Sequence, residues 1–318
     1  MSKPHLYVTR QLPDPVMTAL TERFDLTQPP ETAPPNRDTV FAGIRHADAL
    51  ICTLAEQIDA PMLKKATHLR IIANYAVGYN NIDLDAARTH NIIVTNTPDI
   101  LTESTADLTW ALLLAAARRV PAGHALVQQG TWTGWEPRQL LGADVFGRAL
   151  GIIGMGRIGQ AVARRAAGFN MAVLYHNRTP KKFPDHPSWK SVGLDDVLSQ
   201  ADFLTLHVPL TTDTRHLIGP QELQLMQPTA YLINVARGPV VDEAALVDSL
   251  QKGRLAGAGL DVYEHEPAIH PGLLALNNVV TLPHLGSATQ TTRIRMGMVC
   301  LENILAVLER RPAPNRVA

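Results

Sequence analysis

Cysteine is almost missing from this 318-residue chain, with Cys52 and Cys300 the only two. Two thiols so far apart give neither a metal-ligand spacing nor a disulfide framework, which fits a reducing cytoplasm. An excess of one charge is missing too: Lys plus Arg and Asp plus Glu number 29 each. That balance gives no reason to expect nucleic acid or an anionic membrane as partner. Long hydrophobic runs are absent, since the longest, Trp110 to Ala117, is too short to span a bilayer. The N-terminus, Met1 to Val8, enters a short strand pattern with no apolar signal region. The expectation is a soluble cytoplasmic protein with no resident metal.

What the chain does have is a glycine turn, Gly154-Met155-Gly156-Arg157-Ile158-Gly159. It follows the apolar run Ala149–Ile153 and precedes a helical pattern from Gln160. Between strand and helix, three such glycines have separate uses: a tight turn, close approach of a pyrophosphate, and close helix packing. The helix N-terminus then offers N–H groups and a positive dipole end to the phosphates. A second buried-strand pattern, Met171 to His176, ends at Asn177-Arg178-Thr179. An acid near this place would accept bonds from the ribose hydroxyls of NAD. Arg178 instead suits the 2′-phosphate that a carboxylate would repel, so NADPH is favoured and NADH remains possible. The alternative is a solvated strand-end charge with loose cofactor choice.

The length suggests about two domains, and 46% apolar residues suffice for two cores. Strand patterns at Leu6–Thr9, Ala49–Cys52, Arg70–Ala73 and Ile92–Thr95 alternate with helical ones at Val16–Phe24, Ala60–Ala66 and Leu84–His90. After the glycine turn the alternation resumes with Phe203–His207, Ala230–Asn234, Gly257–Asp261 and Val279–Leu282, and a helix at Glu243–Gln251 stopped by Gly253. The reading is α/β: two doubly wound, parallel-sheet, Rossmann-like domains with a cleft between them. The prolines 29, 30, 34 and 35 mark a surface loop within the first domain. Ala47-Asp48-Ala49-Leu50 echoes Ala201-Asp202-Phe203-Leu204, and Asn91 to Pro98 echoes Asn278 to Pro283, as if both domains shared a plan. A helix over Thr102–Arg119 carries the chain across, and one near Thr292–Glu309 carries it back. Residues 1–99 with 288–318 then form a substrate-binding domain, and 100–287 a dinucleotide-binding domain. The apolar helix Leu108–Ala117 could pair subunits or be core.

Three polar residues stand where central strands end: Arg237, Glu266 and His284. Together they suit hydride transfer to a carbonyl. Histidine donates the proton near neutral pH, a carboxylate fixes its tautomer, and arginine holds a substrate carboxylate. Gly151–Gly159, Asn234–Gly238, Asp261–Pro267 and Pro283–Thr289, in this order, resemble the D-isomer-specific 2-hydroxyacid dehydrogenases. Within these the likeness is to the glyoxylate/hydroxypyruvate reductases, over about Leu6 to Leu308. The resemblance gives Arg237, Glu266 and His284 the roles argued from chemistry, with Glu266 chosen over Glu264 because it precedes proline. It sets Asp261, Val235, Ala236 and Gly286 beside the nicotinamide.

The resemblance also makes Asn74 to Asp83 a carboxylate loop, where Tyr75 and the Val77-Gly78 backbone meet the substrate. Trp132 and Trp135 in Gly130–Pro137 wall a substrate pocket, the chain's own or a neighbouring subunit's, or pack in a subunit interface. Val208, Pro209 and Thr214 border the adenosine. The implied function is NADPH-dependent reduction of a small 2-oxo acid, glyoxylate to glycolate or hydroxypyruvate to D-glycerate, by a homodimer. Alternatives are another member of the family, such as a 2-ketogluconate reductase, or a nicotinamide-sensing protein resembling transcriptional co-repressors.

Overall fold

A computed structural model describes residues 3–30 and 34–318; Met1, Ser2 and positions 31–33 of the expected proline loop lie outside the described residues. The chain divides into two compact units, one of residues 1–101 with 287–318 and one of residues 102–286.

The first unit carries β1 (His5–Val8), β2 (Asp25–Thr27), β3 (Ala49–Cys52), β4 (Ile71–Asn74) and β5 (Ile93–Thr95) in the order β2-β1-β3-β4-β5. The second carries β6 (Ala149–Ile153), β7 (Ala172–His176), β8 (Lys190–Ser191), β9 (Phe203–Leu206), β10 (Tyr231–Asn234), β11 (Gly257–Leu260) and β12 (Val279–Thr281). Their order is β12-β11-β10-β9-β6-β7-β8. All these strand pairs are parallel. The inner strands β3, β4, β9 and β11 are buried along their whole length, because crossover helices cover both faces and each strand must be apolar on both. Both units are therefore doubly wound. The larger follows the dinucleotide-binding order with one strand added, and the smaller follows the flavodoxin-like order.

The order reverses between β6 and β9 in the larger unit, the place where such sheets open a crevice beyond their carboxyl ends. The helix expected over Thr102–Arg119 ends at Ala117. Arg119 takes a left-handed φ of 54°, and a second helix, Val120–Gln128, begins with Pro121 in its first turn. Pro121 lacks the N–H that a continuing helix would need, which accounts for the break. Within the first of these helices Ala106, Trp110, Leu113 and Ala117 are buried in the unit's own core. Trp110 stacks on Phe169 at 4.6 Å between centroids and donates Nε1–H to the Val162 carbonyl. One face of this helix is therefore core, while Ala111 on it is exposed. No described helix is long and apolar enough to cross a membrane.

Candidate active site

The glycine turn follows β6, and each glycine has its own constraint. Gly154 has φ +97°, and a Cβ there would lie 2.6 Å from the His207 carbonyl oxygen. Only glycine tolerates both. A Cβ on Gly159 would meet the Gly154 carbonyl oxygen at 2.3 Å, so the helix Arg157–Ala166 rides directly on the turn. Around Gly156, its N-cap, a Cβ would meet nothing within 4 Å. Gly154 and Gly159 are packed against protein, while Gly156, the middle glycine, is open, as close approach of a pyrophosphate requires. Met155 is buried within this turn.

The end of β7 is tied to the turn: the Met155 N–H donates to Asn177 Oδ1 at 2.7 Å. The Asn177 Nδ2 group is buried without a hydrogen-bond partner. An orphaned buried donor is costly, and an oxygen of a bound nucleotide would satisfy it. The residues present thus fit a nicotinamide dinucleotide. Arg178 and Thr179 are exposed, and Arg178 Nη1 pairs with Asp213 Oδ2 at 2.9 Å. Thr214 Oγ1 accepts the Thr211 N–H (2.8 Å) and donates to the Pro209 carbonyl (2.6 Å). It closes the loop expected beside the adenosine, while Val208 packs against the core. His207, not singled out by sequence, leaves its Nε2 buried and unpartnered, and burial pushes its pKa down to about 3.

Past β10, β11 and β12 the expected polar residues converge. Asn234 braces the first exit loop, accepting from Ala236 N and donating to the Arg237 carbonyl, both at 3.0 Å. Val235 and Ala236 are buried, and Arg237 Nη1 donates to the Ala236 carbonyl at 2.7 Å. Burial pulls the Arg237 guanidinium below its ordinary pKa, against the pull of nearby Glu266. A Cβ on Gly238 would fall 1.8 Å from the Tyr263 carbonyl carbon, so the exit loops of β10 and β11 touch backbone to backbone. Glu266 Oε1 accepts the Tyr263 N–H at 3.0 Å, and its Oε2 lies 2.9 Å from His284 Nδ1. Burial works to raise the Glu266 carboxyl. His284, the Tyr263 N–H and Arg237 overcome it and hold the carboxyl below its usual value.

Asp261, expected beside the nicotinamide, is buried and spends its two oxygens on the Leu285 and Gly286 N–H groups, at 2.6 and 2.8 Å. Its backbone carbonyl accepts the His284 N–H at 2.9 Å. The Gly286 carbonyl is held in turn by Thr105 Oγ1 at 3.1 Å. These bonds over-determine a loop in which His284 takes a φ of +55°, a conformation that costs a non-glycine residue about 1–3 kcal/mol. Burial raises the Asp261 carboxyl, opposed by the two N–H groups and by His284. With Nδ1 directed at Glu266, the imidazole presents Nε2 as its second proton-carrying atom.

In the smaller unit, the loop after β4 is shaped by two amides. Asn74 Nδ2 donates to the Gly78 carbonyl (2.7 Å) and Asn96 Nδ2 to the Val77 carbonyl (2.8 Å). Peptide planarity turns the following N–H groups away from those amides. Tyr75 differs from expectation. Its ring is buried, its hydroxyl donates to the Arg293 carbonyl at 2.5 Å, and burial pushes its pKa up to about 12. Its side chain braces the loop, which leaves the backbone as what the loop offers. Asn74 and Asn96 could be found in sequence only as asparagines at strand ends, where side chain-to-backbone bonds are common.

Trp132 and Trp135 are exposed within their own chain, Trp135 at 80%. They belong to an apolar series with Val120, Val127, Leu141 and Phe146, all exposed.

A family profile for the NAD-binding domain of the D-isomer specific 2-hydroxyacid dehydrogenases matches residues 110–286. The chain is 46% identical over 319 residues to a glyoxylate reductase of Korarchaeum cryptofilum, covering 99% of this chain and 96% of that one. Among solved structures it is similar to an NADPH-dependent glyoxylate/hydroxypyruvate reductase from Sinorhizobium meliloti, in complex with NADP and malonate. That match has a TM-score of 0.88 and 35% identity, covering 100% and 97% of the two chains. A glyoxylate reductase from Paecilomyes thermophila gives a TM-score of 0.87 at 32% identity, covering 100% and 99%.

Proposed function

The chain belongs to the D-isomer specific 2-hydroxyacid dehydrogenase family, and on that premise we propose that it reduces glyoxylate to glycolate and hydroxypyruvate to D-glycerate. NADPH is the favoured cofactor and NADH is also accepted. When bound, the reduced nicotinamide supplies the hydride. The chain's own residues do the rest. His284 gives a proton from Nε2 to the carbonyl oxygen, Glu266 fixes the imidazole through Nδ1, and Arg237 holds the substrate carboxylate. In the smaller unit, the backbone N–H groups at Val77-Gly78 are assigned to substrate binding. The observation that carries this reading is the 2.9 Å His284–Glu266 pair on a loop pinned by Asp261. The names of the relatives, and the NADP held by one neighbour, support it.

The exposed apolar series from Val120 to Phe146 is assigned to a homodimer interface, with Trp135 directed toward the partner's substrate pocket. Aromatic residues suit either duty.

The test is cofactor absorbance with glyoxylate, hydroxypyruvate and 2-ketogluconate, each with NADPH and NADH. Turnover of the two small acids is expected. No turnover of any of them would overturn the reading, and faster turnover of 2-ketogluconate would replace the substrate.

A further inference from the structure

Arg178 and Asp213 come from two exit loops that strand order brings together. β7 and β9 lie on either side of β6. A dinucleotide on such a sheet crosses the carboxyl ends there, with its adenosine ribose at the end of the second strand, which here is β7. Both partners are presented by held backbone. Arg178 follows Asn177, whose side chain is fixed by the Met155 N–H at 2.7 Å. Asp213 lies within the turn closed by Thr214 Oγ1 on Thr211 N and Pro209 O, and by Arg215 N on the Thr211 carbonyl at 3.0 Å. The two side chains meet at 2.9 Å while 82% and 66% exposed. A pair so open to water adds little to folding stability, so its consequence lies in what the guanidinium is free to bind.

Building on the NADP(H) reading above, we propose that Asp213 is a cofactor-specificity residue that lets the site accept NADH beside NADPH. Two physical effects point the same way. A 2′-phosphate must displace Asp213 from Arg178 or share the guanidinium with it, and the carboxylate repels the phosphate. The ribose hydroxyls of NADH need an acceptor, usually an acid at the end of the second strand. Asn177 stands there with its Oδ1 already taken by Met155, and Asp213 supplies the carboxylate from the neighbouring loop. The pair is thus a single reader: the arginine recognises the phosphate, and the aspartate recognises the diol and weakens the arginine.

The test is calorimetric binding of NADPH and NADH to the full chain as wild type, Asp213→Asn, Arg178→Gln and the double variant, with kcat/KM for glyoxylate alongside. The ratio of the NADH to the NADPH dissociation constant is expected to rise about fivefold in Asp213→Asn and to fall about tenfold in Arg178→Gln. In the Arg178→Gln background, Asp213→Asn should raise NADPH affinity by clearly less than in the wild-type background, because only the direct repulsion of the phosphate is then relieved. The Asp213→Asn shift should shrink as salt is raised. A ratio in Asp213→Asn within about twofold of wild type, or the same NADPH gain without Arg178, would overturn the proposal. Binding of both cofactors without reduction of any 2-oxo acid would remove the proposed function, and the binding ratios would still decide this one. Binding of neither would remove both.

Discussion

Asp48 in the smaller unit and Asp202 in the larger do the same thing. Each stands just before a strand, and each accepts the first N–H of the neighbouring strand at 2.8 Å, His5 in one case and Ala149 in the other. The backbone around them repeats as well. Asp48 N bonds to His5 O and Arg70 N to Asp48 O, as Asp202 N bonds to Ala149 O and Tyr231 N to Asp202 O. The short echo in sequence is therefore a shared piece of construction at the amino ends of both sheets.

The carboxyl ends differ. After β6 comes a glycine turn with open space at Gly156. After β1 come Thr9 and Arg10, and the place is taken by Glu56, which is buried. Its Oε2 accepts from Thr9 Oγ1, Thr53 N and Thr53 Oγ1, each at 2.8 Å, and Arg10 Nε reaches Oε1 at 2.7 Å. One unit supplies its own anion to its first turn, while the other leaves that turn for a ligand. A scaffold of one class can thus be closed or opened to phosphate by what fills the first strand–helix connection.

The comparison breaks most readily at Glu56. Glu56→Ala removes the shared acceptor of the part-buried Thr53 N–H, the Thr9 and Thr53 hydroxyls and the Arg10 guanidinium, and chemical denaturation should show a loss of about 2–4 kcal/mol. A loss below about 0.5 kcal/mol, the size of an ordinary surface change, would mean the carboxylate organises nothing. The complementary change is Gly156→Ala. Its Cβ has room in the protein, so stability should stay within about 0.5 kcal/mol while cofactor affinity falls about tenfold or more. Unchanged affinity would show that no pyrophosphate passes there. The smallest effect tests the shared feature. Asp48→Ala and Asp202→Ala should each cost about 1 kcal/mol, and by similar amounts; a large inequality would mark the likeness as superficial.

Much of this was legible in the sequence. The inner strands could be read to within a residue because burial on both faces makes them continuous apolar runs. β2 (Asp25–Thr27) and β8 (Lys190–Ser191) could not, because they are short edge strands with exposed polar residues. The helix Arg37–Ile44, with the Asn36 side chain as its N-cap, also escaped notice behind the prolines. Arg237, Glu266 and His284 were singled out from their places at strand ends and from the family resemblance, and the structure sets Glu266 2.9 Å from His284. Asn96, Glu56 and Asp213 were not, because each has a partner 19 to 47 residues away in sequence. Asp261 was found but given a different duty: its carboxylate shapes the His284 loop.

The most direct test of the central claim, that His284 gives the proton in a nicotinamide-dependent reduction, is single-turnover glyoxylate reduction by His284→Gln, with cofactor binding measured on the same preparation. The expected result is near wild-type cofactor affinity with the chemical step slowed about a hundredfold or more. A chemical step within about threefold of wild type, with cofactor bound, would contradict it.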